Sequence, residues 1–166
     1  SARFMRELVV GILTFEDNDY GGAAAVIGKH YLPSLRPRFL GDFHSEETEL
    51  NWSSLGSLDP MYAALPNLRE LTVRSGSGTL GSIVLPHLES FSIITGGLDG
   101  KAAKAIATAK APGVKTLMIQ VGSSDYGGPA KLKALLPVLD GATFPRLDAP
   151  GPLTPRAPHP QNRQTR

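Results

Sequence analysis

A short motif recurs along the chain and limits what the chain can fold into. An apolar residue, a proline, a variable residue and a second apolar residue are followed by apolar positions three and five residues later. Complete copies begin at 65–68, 85–88 and 111–114, and partial copies lie at 5–10, 32–35 and 144–147. Repetition of this kind is typical of folds in which one small unit stacks on the next.

The spacing within the motif predicts a strand with one apolar side. The last two apolar residues of each copy lie two apart, so on an extended strand they point in the same direction. One such strand cannot bury its apolar side alone, but parallel stacking of several copies merges these sides into a single core. We therefore predict that Leu71, Phe91 and Leu117 lie on neighbouring parallel strands.

The segments that connect the copies differ in what they can form. Helices are predicted over 23–31, about 60–65, 101–110 and 129–139, of which the third is rich in alanine. The fourth has leucines at helical spacing, namely Leu132, Leu135, Leu136 and Leu139. The step from Pro66 to Pro86 is too short for a full helix, so it is predicted to cross over as a glycine-containing loop.

The motif resembles the leucine-rich repeat, over about residues 5–147. Five segments also resemble a bacterial, mainly actinobacterial, family of uncharacterised cytoplasmic leucine-rich-repeat proteins: Leu32-Pro33-Ser34-Leu35, Phe39-Leu40-Gly41-Asp42, Ser45-Glu46-Glu47, Asp125-Tyr126-Gly127-Gly128 and Phe144-Pro145-Arg146-Leu147. The resemblance implies an α/β solenoid, a short horseshoe with a parallel sheet on its concave side and helices and loops on its convex side, in the cytoplasm. It supplies no catalytic residues. The chain departs from the pattern at Pro37 and Arg38, where a small residue and a leucine are expected.

The repeats are expected to end before the last part of the chain. We expect about five repeats over residues 1–147 and a disordered, Pro/Arg-rich tail over 148–166. Pro150 and Pro152 cannot donate the N–H that a strand requires, so the sixth copy cannot be completed as a strand. An uncapped end would expose core leucines and favour self-association. The start at Ser1 rather than Met leads us to expect a fragment or processed piece of a longer chain, and the proline-rich segment after Leu147 leads us to expect a chain truncated or altered relative to longer relatives.

Composition narrows the classes of function. The net charge is +2, and Asp148, Arg156, Arg163 and Arg166, the charges of the last 19 residues, sum to +2. The remaining chain is therefore neutral, which disfavours nucleic-acid binding. The absence of cysteine excludes disulfides and thiolate sites, and no apolar run is long enough to span a membrane. We expect a cytoplasmic protein without cofactor or metal.

One motif formally matches a dinucleotide-binding fingerprint. Residues 76–81 read Gly-Ser-Gly-Thr-Leu-Gly after a predicted strand. The fingerprint must open a helix whose N-terminal amides receive the pyrophosphate. Here another strand follows within about ten residues, so we interpret 76–81 as a tight crossover turn. The acidic segment 42–49 has no calcium-loop spacing and is interpreted as a solvated loop.

Two copies of Asp-Tyr-Gly-Gly, at 19–22 and 125–128, each precede a helix-forming segment. The glycines predict a sharp strand-to-helix turn with positive φ, and the tyrosine ring is expected over the sheet edge. Alternatively, the same loops form a recognition rim, whose candidates are Asp19, Tyr20, Asp125 and Tyr126. Catalysis by Asp19 and Asp125 is the least favoured hypothesis.

The residues that alternate with the core positions define the exposed side of the sheet. Its predicted middle row is Val9, Phe39, Thr72, Ser92 and Met118, flanked by Glu7, Pro37, Glu70, Ser90 and Thr116 on one side and Gly11, Gly41, Arg74, Ile94 and Gln120 on the other. Such a face suits a protein or peptide, because it is extended and has no deep cleft. The predicted partner-binding residues are Phe39, Thr72, Arg74, Ser92, Met118 and Gln120.

The favoured function is a non-enzymatic protein-interaction module. The alternative is an accessory or truncated component of a bacterial enzyme or gene-cluster system, with catalysis on another chain.

Overall fold

The computed structural model describes residues 7–11, 13, 18–41, 53–120 and 133–148, except for the side chains of 36–40. In chain order the elements are β1 (Glu7–Val10), β2 (Asn18–Asp19), α1 (Tyr20–Gly28), β3 (Arg36–Leu40), β4 (Ser53–Ser57), α2 (Asp59–Ala64), β5 (Glu70–Ser75), β6 (Ser77–Thr79), β7 (Ser90–Thr95), α3 (Gly100–Ala107), β8 (Thr116–Gln120) and α4 (Leu136–Leu139). The fold is mixed α/β. Among the described residues, no helix is long and apolar enough to cross a membrane.

Two parallel sheets organise the described chain. The main sheet has the order β1-β3-β5-β7-β8, and the smaller sheet has the order β2-β4-β6. In the main sheet Leu71 pairs with Phe91, and Phe91 pairs with Leu117. The prediction that these residues lie on neighbouring parallel strands is therefore confirmed.

The recurring motif forms the same turn each time. In five described copies the N–H of the fourth residue donates to the carbonyl oxygen of the first, at 3.1 or 3.2 Å: Leu35 to Leu32, Leu68 to Leu65, Leu88 to Leu85, Val114 to Ala111 and Leu147 to Phe144. Proline is favoured at the second position of such a turn, because its ring fixes φ near the required value. The repeat in the sequence is thus a repeat in backbone structure.

The core lies on one side of the main sheet. Leu71 and Val73 on β5, and Phe91 and Ile93 on β7, are buried, whereas the residues between them are half-buried on the opposite side. Each buried side chain of this size contributes about 1.5–3 kcal/mol through removal of apolar surface from water. The alternation therefore fixes which side of each strand remains available for contacts.

The smaller sheet was not predicted. The crossover between Pro66 and Pro86 contains no helix, as expected, but it includes β6, which pairs with β4. The hydroxyl of Ser75 is buried and bonds to the carbonyl oxygens of Ser53 at 2.9 Å and Ser77 at 2.8 Å. These bonds join the two sheets and satisfy polar groups that would be costly to bury alone.

Helices are present at the first three predicted places, but the first begins three residues earlier than predicted. Helix α1 begins at Tyr20 rather than at residue 23, and the side chain of Asp19 accepts the N–H of Gly21 at 2.8 Å as its N-cap. Gly21 and Gly22 are helical and do not have positive φ, so the predicted role of these glycines is wrong. A capping aspartate makes the turn instead, because it satisfies an amide that the helix leaves unpaired.

The fourth helix is shorter than predicted, and its buried face differs. Residues 133–135 form a single 3₁₀ turn before α4, and 129–132 lie outside the described residues. Leu135 and Val138 are buried, whereas Leu136 and Leu139 are 52% and 51% exposed. Pro137 explains the difference, because a proline inside a longer helix lacks a donor and clashes with the preceding turn.

The pairing of β1 with β3 contains an irregularity at Pro37 and Arg38, where the sequence departs from the repeat pattern. Leu8 pairs with Pro37 and Val9 with Phe39, so Arg38 has no partner in β1. Glu7 consequently pairs with Arg36, and its predicted alignment with Pro37 is wrong. A bulge absorbs the extra residue and restores the register for the rest of the strand.

Candidate functional site

The exposed side of the main sheet has the predicted middle row. Val9 pairs with Phe39, Phe39 with Thr72, Thr72 with Ser92 and Ser92 with Met118. The row therefore crosses all five strands at one level. The backbone pairing places Phe39 in this row, and its side chain is not among the described atoms.

The ends of this row are apolar and its described centre is small. Val9 is 45% exposed and Met118 is 44% exposed. Thr72 and Ser92 are half-buried and carry short side chains. The described part of the row therefore has apolar side chains at its ends and short polar side chains at Thr72 and Ser92.

A second row crosses the sheet nearer the carboxyl ends of the strands. Arg74 pairs with Ile94, and Ile94 pairs with Gln120, as predicted. All three are half-buried. A guanidinium and a primary amide thus lie on either side of an apolar residue, a combination that can bind carbonyl or carboxylate oxygens beside an apolar contact. Of the predicted partner-binding set, Thr72, Arg74, Ser92, Met118 and Gln120 are brought onto one face.

A row of charged residues at the starts of the strands was not predicted. Arg69 forms an ion pair with Glu89, and the Nζ of Lys115 lies 3.3 Å from an Oε of the same carboxylate. The hydrogen bond and positive charge of Lys115, followed by the charge of Arg69, hold the pKa of Glu89 below its ordinary value. The sequence signal was available, because each of these residues directly follows the fourth residue of a motif.

The same positions also start the backbone ladder. The carbonyl oxygen of Glu89 accepts the N–H groups of Lys115 at 2.8 Å and Thr116 at 3.1 Å. The N–H of Asp148 donates to the carbonyl oxygen of Lys115 at 2.9 Å. Charges of alternating sign therefore lie beside backbone bonds that set strand register, and we assign this row a structural role.

One residue of the predicted recognition rim, Tyr20, does not lie at the surface. Tyr20 is fully buried in the core, so it does not line an exposed rim. Its burial raises the pKa of the phenol. Asp19 is exposed and caps α1. Asp125 and Tyr126 lie outside the described residues, as do the acidic segment 42–49 and the rest of the second Asp-Tyr-Gly-Gly copy.

The glycine motif at 76–81 does not open a helix. It contains β6, and Gly78 has a φ of +126°, a conformation that other residues rarely adopt. A Cβ at Gly78 would lie 2.6 Å from the backbone nitrogen of Leu55, so the motif allows β6 to approach β4 closely. This geometry supports a structural role for the glycine.

A cavity of about 60 Å³ lies beside this motif, between the carboxyl ends of β5 and β7 and the start of α3. Its lining is mostly apolar, and Ser75, Thr95 and Asp99 in its wall bond to protein backbone atoms. The volume is too small for a nucleotide or another organic cofactor. Within the described part of the chain, no three acidic or histidine residues are grouped as metal ligands.

Comparison with known proteins finds a similar fold but no match in sequence. No protein-family model and no curated protein matches the sequence. A Bacteroides fragilis protein, whose crystal structure was determined as a target of the Northeast Structural Genomics Consortium, is similar in structure with a TM-score of 0.76 and 25% sequence identity. The match covers 88% of this chain and 42% of that protein, so the chain spans less than half the length of its structural neighbour.

Proposed function

We propose that the chain is a leucine-rich-repeat-like stack of about five repeats that binds a protein or peptide without catalysing a reaction. The binding site is the exposed face of the main sheet. One observation carries the proposal: a continuous row of paired residues crosses five parallel strands on the side opposite the core. A bacterial cytoplasmic role, implied by the resemblance to repeat proteins, forms part of the same proposal.

The chemistry of the face favours a polypeptide partner. Val9, Met118 and Ile94 provide apolar contact, and Arg74 and Gln120 provide hydrogen-bonding groups near one margin. Protein interfaces combine apolar contacts with hydrogen-bonding groups and need an extended area. An extended face with both apolar and hydrogen-bonding side chains therefore fits a protein surface or an extended peptide better than a small metabolite.

The charges near this face do not favour nucleic acid. Arg69 and Lys115 lie at the strand starts, but both are paired with Glu89. Affinity for nucleic acid arises from several cations that neutralise phosphates together. These two cations share one carboxylate and leave a single net positive charge, which supplies little of that affinity, so we propose a partner that is neither nucleic acid nor membrane.

The test compares how tightly a captured partner binds the original chain and a variant whose sheet face carries an obstructing side chain. The partner is first isolated with the full chain and then purified, and its affinity is measured by calorimetry. Ser92→Arg places a long charged side chain in the middle of the row, and we expect binding to weaken by at least about tenfold, since a misplaced charge in an interface costs more than 1.4 kcal/mol.

The matched control is Ser82→Arg, which makes the same change at an exposed residue outside the main sheet. This variant should bind like the original chain. Equal affinities of the original chain and Ser92→Arg would exclude the face as the binding site. Loss of binding in both variants would also contradict the proposal, because the effect would not depend on the face.

A further inference from the structure

The β8 edge of the main sheet lies beside the point where the chain continues past Asp148. We propose that residues 149–153, which lie outside the described residues, add in parallel to β8 as the sixth and last strand of this sheet. In the described part of the chain, β8 pairs in its sheet with β7 alone. The proposal concerns how the stack of repeats ends, and it holds whether or not the exposed face binds a partner.

The last described backbone bond already begins this pairing. At the start of β8, the carbonyl oxygen of Glu89 accepts the N–H groups of Lys115 at 2.8 Å and Thr116 at 3.1 Å. The N–H of Asp148 donates to the carbonyl oxygen of Lys115 at 2.9 Å, which is the first of these two bonds one repeat later. Ala149 takes the place of Thr116 in this repeat, so it donates the second bond to the same oxygen.

The direction of the backbone groups decides where proline is tolerated. In a parallel sheet, alternate residues of a strand bond to opposite neighbours. Because Ala149 bonds to β8 in this arrangement, Gly151 and Leu153 face β8 as well. Pro150 and Pro152 lie between them and face away from β8. Proline occurs in edge strands with its nitrogen on the outer side, so the two prolines exclude a central strand at this place but not an edge strand.

The sequence of this segment favours the extended backbone that an edge strand needs. Residues 149–153 read Ala-Pro-Gly-Pro-Leu. Ala149 and Gly151 each precede a proline, which disfavours the helical region for them, and the prolines have a restricted φ. A segment with few accessible conformations loses little conformational entropy when it pairs with a strand.

The core side of β8 has an apolar position whose burial is incomplete. Leu71, Phe91 and Leu117 occupy the same position on successive strands. Leu71 and Phe91 are 1% and 0% exposed, whereas Leu117 is only partly buried. Pro150 is next in this series when the register continues, and its apolar ring then lies on the core side beside Leu117. The added strand therefore removes further apolar surface from water.

The outward prolines also end the sheet. A strand edge with unpaired N–H groups is a template for another strand, and proline is one of the residues that protect natural edges. In the proposed strand, both residues that face outward between Ala149 and Leu153 lack an N–H. The stack therefore has a protected end, in place of the uncapped end expected from the sequence.

The added strand leaves the exposed face accessible. By the same register Gly151 falls beside Met118, and Leu153 falls beside Gln120. Gly151 has no side chain to cover Met118, which is 44% exposed. The face thus becomes one strand wider.

Hydrogen exchange followed by NMR tests the pairing in the full chain. In the proposed strand the N–H groups of Leu117 and Ile119 donate to the carbonyl oxygens of Ala149 and Gly151, whereas the N–H of Met118 faces β7. All three amides should be protected in the original chain. Gly151→Pro removes a donor that faces β8, so exchange at Leu117 and Ile119 should become faster by about tenfold or more, while Met118 stays protected.

Two matched variants control for the change of residue type. Gly151→Ala alters the same position but keeps its N–H, so the protection of Leu117 and Ile119 should remain. Pro152→Ala changes a residue that faces away from β8 and should also leave this protection unchanged. The amide of Met118 shows in every variant whether the main sheet is folded.

The role of the prolines is tested by restoring the outward donors. Pro150→Val combined with Pro152→Val gives the outer side two N–H groups, so the average mass in sedimentation should rise with concentration above that of the original chain. Equal masses at all concentrations would contradict the role of the prolines in ending the sheet.

Two exchange results would overturn the added strand itself. Leu117 and Ile119 could exchange as fast as unprotected amides in the original chain while Met118 is protected, which would show that nothing pairs with this edge. Alternatively, both could stay protected in Gly151→Pro, which would show that another segment covers β8.

Discussion

Gly21 of α1 and Gly56 of β4 meet backbone to backbone. A Cβ built on Gly56 would lie 2.6 Å from the Cα of Gly21, and Gly56 has a φ of +57°. The contact positions the first helix directly on the smaller sheet. Two independent restrictions, space and backbone conformation, therefore act on Gly56.

Gly56→Ala is expected to lower the free energy of unfolding by about 1–3 kcal/mol, because the methyl group has no space and the conformation is strained. Gly22→Ala is the matched control. Gly22 is helical with nothing within 4 Å of its Cβ position, so alanine should stabilise the protein by about 0.5–1 kcal/mol. Urea unfolding of both variants measures the effects, and equal stabilities would contradict the contact.

Two buried tyrosines should respond differently to removal of the hydroxyl. The Tyr62 hydroxyl donates to the carbonyl oxygen of Leu80 at 2.6 Å. The buried Tyr20 hydroxyl has no hydrogen-bond partner among the described residues. Tyr62→Phe should therefore cost about 1–3 kcal/mol, because it leaves a buried carbonyl unsatisfied, whereas Tyr20→Phe should change stability by less than about 0.5 kcal/mol. Thermal unfolding compares the two, and a larger loss for Tyr20→Phe would contradict the assignment.

Tyr62 also predicts a dependence of stability on alkaline pH. Burial, and then the negative charge of Asp59, raise the pKa of Tyr62 well above its ordinary value. The neutral phenol is favoured in the folded state, so its contribution is complete below the ordinary tyrosine pKa and is lost as the pH rises above it. Stability should fall less steeply with alkaline pH in Tyr62→Phe than in the original chain. Identical slopes would show that Tyr62 ionises freely.

The ion pairs of Glu89 should make the stability of the protein depend on acidic pH. Lys115 and then Arg69 lower the pKa of Glu89, so the ionised form is favoured in the folded state. The stabilisation is present above the ordinary glutamate pKa and is lost as the pH falls through the lowered value. Glu89→Gln should remove this part of the acid dependence, and added salt should weaken it in the original chain. An unchanged acid unfolding curve in Glu89→Gln would contradict a stabilising ion-pair row.

The main sheet could be predicted from the sequence because its strands alternate buried and exposed residues around a fixed turn. Leu71 and Phe91 follow their prolines at equal distances, so their register could be counted. The smaller sheet could not be found in this way. Its strands are two to five residues long, β2 is Asn-Asp, and β4 and β6 are rich in serine and glycine, so they carry no extended apolar pattern.

The candidate site, too, could be predicted only in part. Thr72, Ser92 and Met118 were predicted on one face because strands have a period of two. The buried position of Tyr20 could not be predicted, because Asp-Tyr-Gly-Gly is also typical of an exposed turn. In the structure Asp19 caps α1, and Tyr20 is the first residue of that helix and is buried in the core.

The side-by-side position of the repeats can be tested most directly by cysteine cross-linking, since the chain has no native cysteine. Thr72→Cys with Ser92→Cys, and Ser92→Cys with Met118→Cys, place cysteines on adjacent strands with their Cα atoms about 4.8 Å apart, within the Cα range of disulfides. Thr72→Cys with Met118→Cys places them two strands apart, at roughly twice that distance. We predict rapid oxidation of both adjacent pairs and none of the distant pair. Faster oxidation of the 72–118 pair than of either adjacent pair would contradict the strand order, and with it the proposed binding face.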